Sequence, residues 1–198
     1  MLTLRRALPG IAALTVLALA TAAPLAAQRP KAKPHRTPAA TARHVAAKIP
    51  TPRSILGFEP GDDRKLPDWP SLVRYYRALA DASDRVDLRE IGKSTLGAPF
   101  LALVISSPQN LKRLDHFRAV NAKLADPRTL SSTRDAEGAL ADGRVVVMVT
   151  SGVHSNEVGG HLSPVTLAYR LAADTSAATR AILDNVIVWL VPARPPTL

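Results

Sequence analysis

The sequence predicts an α/β domain on a mixed sheet, and three observations predict it. Two β-rich runs, Val86–Ile91 and Pro99–Ile105, flank the turn signal Ser94-Thr95-Leu96-Gly97 and read as an antiparallel hairpin. Two further apolar runs, Val145–Val149 and Val186–Val191, are short and mostly β-branched, the pattern of strands buried on both faces. Helical periodicity lies before, between and among them, in the order helix, hairpin, two helices, strand, helix, helix, strand. A chain of 198 residues has room for one domain with a substantial core.

The first 27 residues have the parts of a secretory signal. Arg5-Arg6 supplies the positive start, Ala7–Ala23 is largely apolar, and Leu25-Ala26-Ala27 offers small residues for cleavage before Gln28. Pro9-Gly10 interrupts the start of the apolar part, which is short for a transmembrane anchor. The expectation is export, cleavage and a secreted or periplasmic protein with no stable membrane span. Residues 28–53 are rich in Pro, Ala and basic side chains without an apolar period, and read as an extended, disordered linker. His35 and His44 fall there and are poor ligand candidates.

Charge follows the same division. Residues 1–50 carry eight basic side chains and no acid, leaving 18 basic against 16 acidic in the rest, a net of +2. Of the overall +10, +8 therefore belongs to residues 1–50 of the leader and linker, and with few aromatics this argues against a nucleic-acid-binding face on the folded part. The chain has no cysteine, so disulfides and thiolate metal sites are excluded. Any metal must be held by His and carboxylate.

The folded part is expected from Ser54, giving a domain over residues 54–198. Asp68 and Pro70 open a helix with Leu72, Val73, Tyr76, Leu79 and Ala80 on one face, ending near Ala82. After the hairpin, Pro108 opens a second helix with Leu111, Leu114, Phe117, Asn121 and Leu124 inward, and His116 off that stripe at the surface. Ser131–Asp142 reads as a third, polar helix. A fourth carries Leu162, Val165, Tyr169 and Ala172. Pro164 is tolerated only in its first turn, which places the start near His161. Ser176 caps a short helix through Leu183.

Chemistry concentrates where the strand Val145–Val149 gives way to Ser151-Gly152-Val153-His154-Ser155-Asn156-Glu157-Val158-Gly159-Gly160. In open α/β sheets the ground beyond a strand's carboxyl end is where ligands bind. His154 and Glu157 stand three apart, so one helical turn through them aims both side chains the same way. Imidazole plus carboxylate supplies two of the ligands of a catalytic zinc. The plain alternative is a His and a Glu that cap or solvate a loop. His161, seven residues from His154 across a double glycine, has no recognised ligand spacing.

This segment resembles the zinc-binding signature of the M14 metallocarboxypeptidase family, in which a strand ends in His-x-x-Glu and a helix follows. The resemblance extends over roughly Gly57 to Pro192, through Ile91-Gly92-Lys93-Ser94 with Gly97, Asp184-Asn185-Val186, and Leu190-Val191-Pro192. It implies a three-layer α/β/α sandwich around a mixed sheet. It also implies zinc (Zn2+) held by His154, Glu157 and a second, later His, with a zinc-activated water attacking a peptide or amide carbonyl of a peptide or protein substrate. The family continues from this strand through Asn-Pro-Asp-Gly, whereas this chain reads Ala193-Arg194-Pro195-Pro196-Thr197-Leu198. The substrate-binding Asn, the second zinc His and the general-base Glu are thus expected beyond this end, leaving no catalytic residue in the chain itself. The expectation is the amino-terminal part of a longer peptidase, incomplete at its C-terminus, inactive and poorly soluble, with Val186–Val191 as an unpaired hydrophobic edge. Two other functions fit the residues: a zinc amidohydrolase or deacylase of the desuccinylase and aspartoacylase type, and a non-catalytic envelope binding module.

Overall fold

The computed structural model describes residues 48–154 and 156–193, so the leader and nearly all of the linker lie outside the described residues. The first element, α1 (Pro52–Leu56), takes in Pro52 and Arg53, which composition had assigned to the linker. Thr51 caps it by accepting from the Ser54 amide, and Gly57 closes it in the left-handed region at φ 83°. Then come α2 (Trp69–Ala82), β1 (Val86–Lys93), β2 (Pro99–Ile105), α3 (Pro108–Leu111), α4 (Leu114–Ala125), α5 (Thr133–Asp142), β3 (Val145–Thr150), α6 (Val158–Ala173), α7 (Ala177–Asn185) and β4 (Val186–Val191). No described helix is long and apolar enough to cross a membrane.

The strands form one mixed sheet in the order β1-β2-β4-β3. The β1–β2 hairpin is antiparallel, with Gly97 at φ 78° in its turn. β2 and β4 are also antiparallel. β3 and β4 are parallel, as the helical crossover α6–α7 between them requires. The period-2 alternation of β2 and β4 sends side chains to both faces. Leu101, Leu103 and Ile105, with Val188 and Leu190, pack against α2, α6 and Leu183 of α7. Val104 and Ile187 pack on the opposite face against Phe117 of α4, with Leu111 and Leu114 beside it. Helices on both faces make the three-layer α/β/α sandwich.

Three expectations need correction. β4 is not the open edge, because it lies between β2 and β3. Among the described residues the edge is β3, and it is not buried on both faces. Val145 is 63% exposed and Met148 65%, with Val146 and Val147 also exposed. A short apolar run reveals that a strand exists without revealing which neighbours cover it. The predicted helix from Pro108 is two helices. Ser107 caps α3, and the chain reorients at Lys112-Arg113, with the Arg113 amide donating to the Asn110 carbonyl. Finally, α6 starts at Val158, which leaves Pro164 inside the helix and fully buried. The residue four before Pro164 is Gly160, whose carbonyl loses its helical partner, and packing of Leu162, Val165 and Ala168 holds the turn regardless.

The polar helix α5 is tied to α4 by charge. The Lys123 ammonium and the Ser131 amide both donate to the Asp135 carboxylate. The lysine bond, followed by that amide bond, holds its pKa down from 3.8 to about 2. A carboxyl whose folded pKa is depressed adds stability above its unfolded pKa and loses it as pH falls through the folded value. Stability should therefore decline between about pH 4 and pH 2, and Asp135→Asn should flatten that part of the profile. Urea unfolding midpoints across this range measure it. Parallel profiles for both proteins would contradict the assignment.

Candidate metal centre

The site stands beyond the carboxyl end of the parallel strand β3. The ladder with β4 continues one step past β3, the Ser151 amide donating to the Val191 carbonyl at 3.0 Å. Gly152 then turns the chain at φ 62°, a conformation that costs a side chain strain. The Glu157 amide donates to the His154 carbonyl at 3.2 Å, closing a single tight turn. That turn brings the two side chains together, His154 Nδ1 to Glu157 Oε1 at 2.9 Å, as the three-residue spacing predicts.

Glu157 is the N-cap residue of α6, yet its carboxylate makes no capping bond and points to His154 instead. The helix N-terminus behind it favours negative charge at that place. Both side chains are exposed, 67% for His154 and 60% for Glu157. An exposed pair of this kind contributes about 0–1 kcal/mol to stability, so the fold does not depend on it. The two donor atoms are reachable from solvent and belong to the N/O set that zinc accepts. Two donors on one tetrahedral zinc lie roughly 3.3 Å apart, a small separation from the 2.9 Å found here. The pair fits part of a zinc site.

Among the described residues no third His, Cys, Asp or Glu joins them to complete a metal-holding group. His161 is nearby, but its Nε2 lies 3.1 Å from the His154 carbonyl oxygen. His116 is engaged elsewhere, its Nε2 2.6 Å from the Asp142 carboxylate and its ring edge-on to Phe117. Two clefts of about 420 and 500 Å3 open beside α1, between it and α6 or α2, and neither is lined by His154 or Glu157. The contact between His161 and the His154 backbone has no signature in the sequence, and spacing alone left His161 unassigned.

A mixed α/β/α sheet with an exposed His–Glu pair beyond a parallel strand end defines a class, that of α/β proteins with a candidate metal centre at the strand terminus. Residues 72–196 match the zinc carboxypeptidase family, Peptidase M14, and the chain belongs to that family. Carboxypeptidase A from Helicoverpa armigera is a structural relative, with 17% identity and a TM-score of 0.46 over 72% of this chain and 30% of that one. The chain therefore spans less than a third of that relative's length. No curated protein sequence matches it.

Proposed function

We propose that His154 and Glu157 are two zinc ligands of a metallocarboxypeptidase-type centre acting on peptide bonds. The observation that carries this reading is the 2.9 Å meeting of His154 Nδ1 and Glu157 Oε1 beyond β3, within the family-matched segment. Zinc in such a centre lowers the pKa of a water and polarises a carbonyl. The chain's own part is to present an imidazole and a carboxylate side by side on a turn fixed between β3 and α6. With two donors among the described residues, the 198-residue chain is expected to bind zinc weakly and to hydrolyse no peptide by itself. Zinc content after gel filtration, measured together with release of the terminal residue from blocked dipeptides, tests this. Sub-stoichiometric zinc without hydrolysis is expected. Stoichiometric zinc with hydrolysis would show a complete site.

The pairing of His154 with Glu157, without a third donor among the described residues, also favours a second reading, a non-catalytic module that keeps the fold without metal. Zinc binding that survives neither His154→Ala nor Glu157→Gln supports the first reading. Absence of any specific zinc binding supports the second. We further propose that residues 1–27 direct export and are removed. Mass spectrometry of the exported protein should find Gln28 first, and a retained Met1 would contradict it.

A further inference from the structure

We propose that His161 is a positioning residue for His154, acting through the backbone; this rests on the reading of His154 as a metal ligand. The His154 carbonyl oxygen can only accept a hydrogen bond, so the 3.1 Å contact requires that His161 Nε2 carry its hydrogen. The same oxygen accepts the Glu157 amide at 3.2 Å. Both lone pairs of the His154 carbonyl are therefore used, one by the second candidate ligand's amide and one by His161 in the first turn of α6. A peptide plane held at two points fixes the direction in which its own side chain leaves.

The other edge of the His161 ring grips the strand side of the same loop. A Cβ at Gly152 would stand 2.8 Å from His161 Nδ1, 2.9 Å from Cε1 and 3.0 Å from the Ala193 Cα. The imidazole fills the space that a side chain at position 152 would need, with Ala193, two residues past β4, closing the other side. His161 is thus wedged between Gly152 and the His154 carbonyl, and it links α6 to the turn that carries the pair. It takes no ligand role in this arrangement, since Nε2 is committed to the carbonyl and Nδ1 faces Gly152. Hydrogen bonds to the side chains of metal ligands change metal affinity by roughly ten- to a hundredfold when removed, and a bond acting through the ligand's backbone is expected at the lower end of that range.

The test compares His161→Leu, which keeps bulk against Gly152 without a donor, and His161→Gln, whose Nε2 amide can reach the same carbonyl. Zinc affinity is read by competition with a chromophoric chelator, and thermal unfolding serves as the control for folding. His161→Leu should weaken zinc binding by about tenfold while unfolding near the wild-type temperature, and His161→Gln should recover most of the affinity. Wild-type affinity in His161→Leu, or equal losses in both variants, would overturn the proposal. Should His154→Ala bind zinc as well as wild type, the metal reading itself fails, an outcome separate from failure of His161. Imidazole nitrogen NMR of the metal-free wild-type chain gives a check that needs neither variant. The Nε2-protonated tautomer of His161 is expected, and the Nδ1-protonated neutral tautomer would overturn the hydrogen bond.

Discussion

Replacing Asn110 by aspartate is expected to lower the unfolding free energy by about 4 kcal/mol, more than truncation to alanine, which should cost about 2 kcal/mol. Asn110 is buried in α3, and its amide nitrogen lies 2.9 Å from the Leu183 carbonyl, 3.0 Å from the Asp184 carbonyl and 3.1 Å from Ser106 Oγ. Two of these three are acceptors only, which fixes the amide's orientation. The bonds tie the end of α7 to the segment after β2. Ser106 Oγ adds contacts of 2.9 and 2.8 Å to the Leu183 and Val186 carbonyls. Alanine removes the amide but leaves Leu183 served by Ser106 and by the Ser107 amide. A carboxylate of the same shape instead aims oxygen at oxygen and buries a charge, while the nearby Arg144 guanidinium is already bonded to the Asp184 carbonyl. Burial and those carbonyls would raise the new carboxyl's folded pKa above its unfolded value. Its penalty is then full at neutral pH and relieved as pH falls, because the protonated form can donate to a carbonyl. Urea unfolding of both variants at pH 7 and pH 4 measures this. Equal cost for Ala and Asp at pH 7 would contradict the account.

The second large effect concerns β3. Among the described residues Val145-Val146-Val147-Met148-Val149-Thr150 is an edge strand of six residues without charge or proline, and four of its apolar side chains are exposed. This combination offers both an open hydrogen-bonding row and apolar surface, the pattern that pairs with other chains. The purified chain should associate as its concentration rises. Val146→Lys with Met148→Lys, two positions that alternate onto the same face, should raise the concentration needed for association by roughly tenfold or more. Both sites are exposed, so unfolding free energy should stay within about 0.5 kcal/mol per substitution. Light scattering against concentration checks the first part and urea unfolding the second. Unchanged association in a folded double variant would mean that the edge is not the contact.

The sequence carried most of the elements because their ends are written locally. Asp68 with Pro70 and Ser176 stand at the starts of the helices they were expected to open, each side chain accepting from a backbone amide three residues on, and Pro108 opens its helix as expected, with Ser107 before it as the cap. The hairpin turn at Gly97 was equally local. What periodicity could not show was neighbourhood. An apolar β-branched run reads the same in the middle of a sheet and at its rim, so β3 and β4 exchanged roles between expectation and structure. The break at Lys112-Arg113 was hidden because Asn110 is anchored by carbonyls more than seventy residues away. Pro164 misled for a related reason: long-range packing of α6 outweighs one missing backbone bond.

At the site, the His154–Glu157 meeting was legible because it depends only on a three-residue spacing and one tight turn. The His161 contact was not, since a side chain reaching a backbone carbonyl across Gly159-Gly160 leaves no pattern of residue types. Gly152 announced a turn in the sequence, but not that its missing Cβ makes room for an imidazole.

The central claim is that His154 and Glu157 bind one metal ion together, and a double-mutant cycle on zinc affinity tests it most directly. Dissociation constants would be measured for the wild-type chain, His154→Ala, Glu157→Gln and the double variant. If one ion bridges both donors, each single substitution weakens binding by at least about tenfold and the double variant is little worse than either. Unchanged affinity in either single variant would contradict a shared site. So would losses that simply add.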